Sequence, residues 1–289
     1  MKASAVLLAG GSGSRLRDPS GKKKQYLTLG GKPLICWALE TFQQSELIEE
    51  IVLVVPAGDE AYVRAEILGC TDAGKHQESD ETGAMPVAVA PHDANAYGTG
   101  GCGKVRAVVA GGKERYLSVY EGLKAVQALH EEEYTMFLHS DKDAATDADF
   151  DITAGGSDER IVFIHDGARP FVTEEELQRL AEDVQKTGAC VLAVPAKDTI
   201  KRADADRMVI ESLKREELWQ MQTPQVFRLS LVLEAHRRLA ENEATDDAMV
   251  VSLAFPEQRI LLTEGTYRNL KVTTPEDLII AEALAERLR

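Results

Sequence analysis

The sequence predicts an α/β fold in which a central, mostly parallel, twisted sheet carries helices on both faces. Two observations predict it. Short apolar runs have the length of buried strands, and stretches of helical length lie between them. This alternation favours parallel strands joined by right-handed crossovers. The predicted strands are residues 3–8, 51–55, 105–110, 160–164, 189–194 and 260–263.

Helix starts are marked by residues that cap or open helices. Pro33 suits the first residue of a helix that runs to about residue 42, and Thr173 with Glu176 forms a capping box for a helix over 174–187. Thr274 and Pro275 cap and open the last helix in the same way. Further helices are predicted over 60–68, from about 118 to 130 and over 229–243, and Thr245 or Asp246 is expected to cap one more.

The 289 residues are expected to form a single domain with two insertions and an arm. Residues 70–104 and 131–159 break the strand and helix rhythm; the first is rich in glycine and polar residues, and the second is strongly acidic. Residues 197–219 contain two short runs around an acidic turn, which predicts a β-hairpin. Because the hairpin has few apolar residues, we expect it to protrude from the main sheet.

Composition excludes several classes of function. The formal charge of −15 argues against a nucleic-acid-binding protein, which needs a broad basic face. The chain contains no apolar run of about 18 residues, so no membrane span is expected, and its first residues lack a signal-peptide pattern. The four scattered cysteines favour reduced thiols in the cytoplasm.

A glycine-rich turn follows the first predicted strand and precedes a basic cluster. Glycines in such a turn allow a ligand to approach the backbone amides closely. Five basic residues, among them Arg15 and Lys24, lie between positions 15 and 24 against one acid, Asp18. In an acidic chain, this cluster indicates a binding site for a polyanionic small molecule.

A second candidate site follows the strand at 160–164. Asp166 and Arg169 come where that strand ends, and ligands of open α/β sheets bind at the carboxyl ends of strands. The residues alone leave open a structural pair between Asp166 and Arg169.

Several segments together resemble the sugar and polyol phosphate cytidylyltransferases. They include LAGGSGSRL with KKKQYLTLGGKPL, GGKERYLSVYEGL, HDGARP, the Thr-Pro-Gln segment, TDDA and NLKVTTPEDL. Seven segments match in order along nearly the whole chain except the two insertions. The resemblance implies a Rossmann-like fold and a cytoplasmic enzyme that uses CTP, a polyol phosphate and Mg²⁺. It also implies a homodimer in which the arm embraces a second subunit.

The resemblance implies a role for each matched residue. The catalytic residues would be Arg15, Lys24 and Lys271. The nucleotide would be bound by Ala9, Gly10, Gly11, Gly112, Ser118 and Gly167. The polyol phosphate would be bound by Asp166, Arg169, Thr199, Arg215 and Thr223, with Asp166 also the candidate metal ligand.

Within the family, the motifs favour the enzymes that act on 2-C-methyl-D-erythritol 4-phosphate. The segments 198–202, 167–168 and 245–248 lean that way, whereas Leu8-Ala9-Gly10-Gly11 is closer to the ribitol-5-phosphate cytidylyltransferases. A nucleotide-binding regulatory protein without turnover is a third reading. The presence of Arg15, Lys24 and Lys271 together argues against it.

Overall fold

The computed structural model describes residues 3–10, 23–69, 103–140, 160–239 and 244–288, and for 132–140 it describes only the backbone. Gly11 and Arg15 therefore lie outside the described residues. So do residues 70–102 of the first predicted insertion and 141–159 of the second.

Seven strands form the central sheet, and two short hairpins stand apart from it. The strands are β1 Ala3–Leu8, β2 Thr28–Leu29, β3 Lys32–Pro33, β4 Ile48–Val55, β5 Val105–Ala110, β6 Ile161–Asp166, β7 Ala189–Pro195, β8 Lys201–Ala203, β9 Val209–Ser212, β10 Trp219–Arg228 and β11 Leu261–Glu264. The central order is β11-β7-β10-β6-β1-β4-β5. The pairs β1–β4, β1–β6, β4–β5 and β7–β11 are parallel, which confirms the mostly parallel sheet.

Helices cover both faces of this sheet, as predicted. They are α1 Leu34–Gln44, α2 Glu60–Tyr62, α3 Arg115–Ser140, α4 Glu174–Thr187, α5 Leu229–Arg238, α6 Asp247–Ala254 and α7 Pro275–Arg287, and a π-helical turn, Val63–Ile67, continues α2. Side chains of β1 alternate between the two faces, so that Leu7 packs with α1 and α4 while Val6 and Leu8 pack with α3, α5 and α6. The capping boxes at Thr173 and Thr274 are formed, and Asp246 caps α6.

Several elements differ from the sequence predictions, among them the β2–β3 hairpin, which was not predicted. The strand β10 was not predicted; it lies antiparallel between β6 and β7. Pro224 lies inside the strand, where the register of its pairing with β7 shifts, and a proline argues against a strand interior, which hid the strand pattern. The helix α3 continues to Ser140, ten residues beyond its predicted end and into the range assigned to the second insertion. Pro33 is the N-cap of α1 rather than its first residue, and it pairs in β3.

The predicted arm is a separate two-stranded hairpin formed by β8 and β9. Every residue of these two strands is exposed. Three consecutive apolar side chains lie on the hairpin, and Met208, Val209 and Ile210 are 66%, 63% and 56% exposed. Among the helices of the described residues, none combines the length and apolar character that a membrane crossing requires.

Candidate active site

The carboxyl ends of β1, β4, β5 and β6 meet at one edge of the sheet. Leu8 and Asp166 are register partners at the ends of β1 and β6. The amide of Gly167 donates to the Leu8 carbonyl at 2.9 Å, and the amide of Ala9 donates to the Val54 carbonyl at 2.7 Å. The turns after these strands are therefore fixed against one another, which is where ligands bind in open α/β sheets.

Glycines and one serine shape the surface of this edge. A methyl group on Gly167 would lie 2.3 Å from Cδ1 of Ile35 and 3.1 Å from the Leu8 carbonyl oxygen, so glycine lets this turn approach β1 closely. At Gly10, a methyl group would lie 3.7 Å from Oγ of Ser118. The Ser118 hydroxyl also lies 3.1 Å from the Glu114 carbonyl and 3.3 Å from the Gly112 carbonyl. The structure thus brings the predicted nucleotide-binding residues Gly10, Gly112 and Ser118 together.

Asp166 is the centre of the charged part of the site. Its Oδ2 lies 2.7 Å from Nζ of Lys271, and its Oδ1 lies 3.4 Å from Nε of Arg115. Burial alone would raise the pKa of the Asp166 carboxyl, but the charges of Arg115 and Lys271 hold this pKa well below its usual range. Asp166 is therefore an anion that two cations share.

Asp166 pairs with Arg115 and Lys271, rather than forming the structural pair with Arg169 that the sequence left open. Arg169 donates instead to two carbonyls, those of Asn269 at 2.8 Å and Met221 at 3.3 Å. The Val272 amide donates to the Ala168 carbonyl at 2.8 Å. These bonds tie the segment that carries Lys271 to the turn that follows Asp166.

Thr223 is 4% exposed, and its hydroxyl is engaged within the protein. The amide of Asp166 donates to it at 3.0 Å, and the hydroxyl lies 3.1 Å from Nδ1 of His165. Nε2 of His165 lies 3.0 Å from the Arg169 carbonyl. A carbonyl can only accept, so Nε2 carries the proton and Nδ1 accepts from Thr223. Burial lowers the pKa of His165 to about 4, which fits this neutral ring.

Lys24 begins a 3₁₀ turn over Lys24–Tyr26, and its side chain is half-buried. The residues after this turn pack in the same apolar cluster as the residue after Lys271. Leu27, Leu29 and Leu34 contribute from one side, and Phe171 and Val272 contribute from the other. The backbone segments that carry Lys24 and Lys271 are therefore neighbours.

Thr199 and Arg215 lie at the arm, and both are exposed. The guanidinium of Arg215 donates to the Lys197 carbonyl at 3.2 Å, within the arm itself. The structure does not place either residue among the contacts of Asp166.

The sequence analysis gave no role to Arg115, which contacts Asp166, or to Asp247, which contacts Arg115. Arg115 lies in the quoted segment GGKERYLSVYEGL, and Asp247 lies in TDDA. Nη2 of Arg115 lies 2.8 Å from Oδ2 of Asp247, which is fully buried. Both are charged residues inside segments that match the family, and that was the signal in the sequence that could have identified them. Only the fold reveals that α3 and α6 bring them together.

A profile of the 2-C-methyl-D-erythritol 4-phosphate cytidylyltransferase family matches residues 3–78 and 143–287. The chain belongs to this family. Relatives in the 2-C-methyl-D-erythritol 4-phosphate cytidylyltransferase family resemble the chain along almost its whole length. The protein of that name from Halalkalibacterium halodurans is 38% identical over 293 residues and covers 100% of both chains. The one from Lachnospira eligens is 37% identical and covers 96% of both.

Solved structures agree with the fold. The crystal structure titled 4-diphosphocytidyl-2C-methyl-D-erythritol synthase from Anaerococcus prevotii matches with a TM-score of 0.68 at 27% identity, covering 99% of this chain and 96% of that one. The Rossmann-like α/β architecture predicted from the sequence is thereby confirmed, and the chain is a nucleotidyltransferase of the cytidylyltransferase family.

Proposed function

We propose that this chain transfers the cytidylyl group of CTP to 2-C-methyl-D-erythritol 4-phosphate and releases diphosphate, in non-mevalonate isoprenoid biosynthesis. The observation that carries the proposal is the position of Lys271 and Arg115. They share Asp166 at the strand edge where Gly10, Gly112 and Ser118 also meet. Two cations fixed beside a glycine-lined turn suit a reaction between two phosphate groups, because they stabilise its negative charge.

The reaction needs alignment and charge stabilisation rather than a protein nucleophile. A phosphate oxygen of the polyol already carries negative charge, and it attacks the α-phosphorus of CTP while the bond to diphosphate breaks. The protein must hold the two substrates in line and stabilise the charge that builds up. Fixed cations at the edge of the sheet supply that stabilisation without reorganising during the reaction.

Lys271 is proposed to contact the α-phosphate. In the free protein, its ammonium is held at Asp166 and its side chain is 38% exposed, so a phosphate can approach it from the open side. Arg15 and Lys24 are proposed to hold the rest of the triphosphate. The apolar cluster that joins the segments of Lys24 and Lys271 supports this arrangement.

The nucleoside is proposed to lie over the turn formed by Ala9, Gly10, Gly11, Gly112, Ser118 and Gly167. The polyol phosphate is proposed to contact Thr199 and Arg215, whose guanidinium suits bidentate binding of a phosphate. Arg169 and Thr223 are already engaged with neighbouring protein groups, which supports an indirect part for both through the position of Asp166.

Mg²⁺ is proposed to enter with CTP, held mainly by phosphate oxygens and water, as this ion prefers. Within the described residues, no group of three acidic, histidine or cysteine side chains is placed to hold a metal. Asp166 is the one predicted ligand, and both of its oxygens contact cations, so it can contribute one oxygen at most. A bound Mg²⁺ would stabilise charge on the departing diphosphate.

The protein is proposed to work as a cytoplasmic homodimer through the arm. Three adjacent apolar side chains at Met208, Val209 and Ile210 are exposed on a hairpin that, within the described residues, forms a two-stranded sheet of its own. If a second subunit covered these apolar side chains, Thr199 and Arg215 of this arm would lie near the active site of that second subunit.

Ribitol 5-phosphate is the alternative acceptor, favoured by the sequence Leu8-Ala9-Gly10-Gly11. The test measures diphosphate release from CTP with each polyol phosphate in turn. We expect release with 2-C-methyl-D-erythritol 4-phosphate. Release with ribitol 5-phosphate alone would overturn the proposed acceptor, and CTP binding without release would favour the regulatory protein.

A further inference from the structure

Four side chains of alternating charge run from the core to the open side of the site. Asp247 contacts Arg115 at 2.8 Å, Arg115 contacts Asp166 at 3.4 Å, and Asp166 contacts Lys271 at 2.7 Å. The side chain of Asp247 is fully buried and that of Lys271 is 38% exposed, with Arg115 at 27% and Asp166 at 11% between them. The two inner residues, Asp247 and Arg115, were assigned no substrate contact above.

Asp247 depends on Arg115 for most of its stabilisation. Its other oxygen, Oδ1, lies 3.6 Å from Nε2 of His236, and this oxygen makes no hydrogen bond within the described residues. The His236 ring is buried and stacks on Tyr120 at 6.0 Å. Burial would raise the pKa of the Asp247 carboxyl, and the charge of Arg115 lowers it below its usual range. A buried carboxylate of this kind holds its cation firmly, since losing the pair would leave an uncompensated charge.

Arg115 is therefore held closer to Asp247 than to Asp166. Nη2 of Arg115 lies 2.8 Å from Oδ2 of Asp247, whereas its Nε lies 3.4 Å from Oδ1 of Asp166. Lys271, at 2.7 Å, is therefore the nearest cation to Asp166. If the charge of Asp247 were absent, Arg115 would have one carboxylate left and would move towards Asp166. It would then compete with Lys271 for that carboxylate.

We propose that Asp247 is a positioning residue for cytidylyl transfer, which acts through Arg115 to keep Lys271 seated on Asp166. The proposal rests on the proposed function, because that function gives Lys271 its contact with the α-phosphate. Asp247 itself touches neither substrate.

The variant Asp247→Asn keeps the shape of the side chain and removes its charge. We expect kcat to fall about tenfold with little change in KM for CTP, because Lys271 acts mainly in the transition state. The matched control is Asp246→Asn, one residue away. Oδ1 of Asp246 caps α6 by accepting from the Met249 amide at 2.9 Å, and Oδ2 accepts from Nε2 of Gln225 at 3.0 Å. Asparagine keeps the cap and loses only the second bond, so kcat should stay within about twofold.

A double-mutant cycle separates positioning from a structural role. If Asp247 acts through Arg115, adding Asp247→Asn to Arg115→Ala should lower kcat no further than Arg115→Ala alone. Multiplicative losses would overturn the proposal. If Asp247→Asn does not fold, Arg115→Lys provides the second variant, since lysine lacks the planar fork that spans two carboxylates. The same fall in kcat is expected.

A measurement without substrate tests the proposal independently of the proposed function. Competitive acetylation with acetic anhydride, analysed by mass spectrometry, reports the reactivity of Lys271 relative to the exposed Lys186. Asp247→Asn should raise the relative labelling of Lys271, because Arg115 displaces it from Asp166, and Asp246→Asn should not. Unchanged labelling would overturn the inference even if the enzyme is active. Absence of turnover in the unmodified protein would instead count against the proposed function.

Discussion

The hydroxyl of Thr223 in β10 lies 3.1 Å from Nδ1 of His165 in β6, and it also accepts a hydrogen bond from the amide of Asp166. One buried hydroxyl thus joins the antiparallel strand to the residue that carries the central carboxylate. This contact fixes the position of the Asp166 backbone, from which the carboxylate side chain extends.

Replacing Thr223 with valine should therefore destabilise the protein by about 2 kcal/mol, because two buried polar groups lose their partner. The free energy of unfolding in denaturant measures this. Thr223→Ser keeps the hydroxyl and should lose much less. If Thr223→Val instead raised only KM for the polyol phosphate at unchanged stability, the direct substrate contact predicted from the sequence would be favoured.

Stability should fall as pH decreases from about 6.5 to about 4, in part because of His165. Its pKa is lowered by burial from 6.5 to about 4 in the folded protein. In that range the unfolded chain binds a proton at His165 and the folded chain does not, so acid favours unfolding. The full effect is about 3 kcal/mol, and below pH 4 this residue adds nothing more. Comparing unfolding free energies of the unmodified protein and His165→Gln across this range isolates the contribution; parallel curves would contradict it.

Lys271→Ala and Lys24→Ala should each lower turnover about 100-fold, which corresponds to about 3 kcal/mol of transition-state stabilisation. Lys271 is 38% exposed and Lys24 is half-buried, so the fold should survive both changes. Steady-state kinetics measures the effect, and the melting temperature checks the fold. Lys186→Ala, on the exposed surface of α4, is the control and should keep full activity. Near-normal turnover in either variant would remove that residue from the mechanism.

Arg215→Ala should raise KM for the polyol phosphate and leave KM for CTP unchanged, because the arm is proposed to bind only the second substrate. Whether the arm crosses to a partner can be tested by mixing Arg215→Ala with Lys271→Ala. In a two-fold dimer with crossed arms, one site of each mixed dimer receives both intact residues. At a polyol phosphate concentration far below the KM of Arg215→Ala, where neither variant alone is active, activity should recover to about a quarter of the unmodified level. No recovery would argue that each arm serves its own subunit.

Much of the fold could be predicted from the sequence because its strands are nearly continuous apolar runs. Residues 3–8 and 105–110 were predicted to the residue, and the capping boxes at Thr173 and Thr274 fixed two helix starts. The strand β10 escaped because Pro224 lies in its middle, and a proline there argues against a strand in the interior of a sheet.

The candidate site was predicted less completely, for a different reason. Asp166 and Lys271 were named from motifs, and the structure joins them at 2.7 Å. The motifs did not reveal that Arg115 and Asp247, which are 132 positions apart, form a buried pair behind them. A long-range contact of this kind has no local pattern, so one sequence cannot predict it. Conversely, Thr223 looked like an exposed polar residue, and only the pairing of β10 with β6 accounts for its burial.

The arm connects β7 to β10, two strands that pair with each other in the central sheet. Pro195 at the end of β7 is opposite Trp219 at the start of β10, and the Ala196 amide donates to the Leu218 carbonyl at 2.9 Å. The two ends of the arm are thus held together as in a hairpin. Each doubling of the length of such a loop raises the free energy of loop closure by only about 0.6 kcal/mol. The arm can therefore change in length and in its side chains without disturbing the alignment that buries Thr223 beside Asp166.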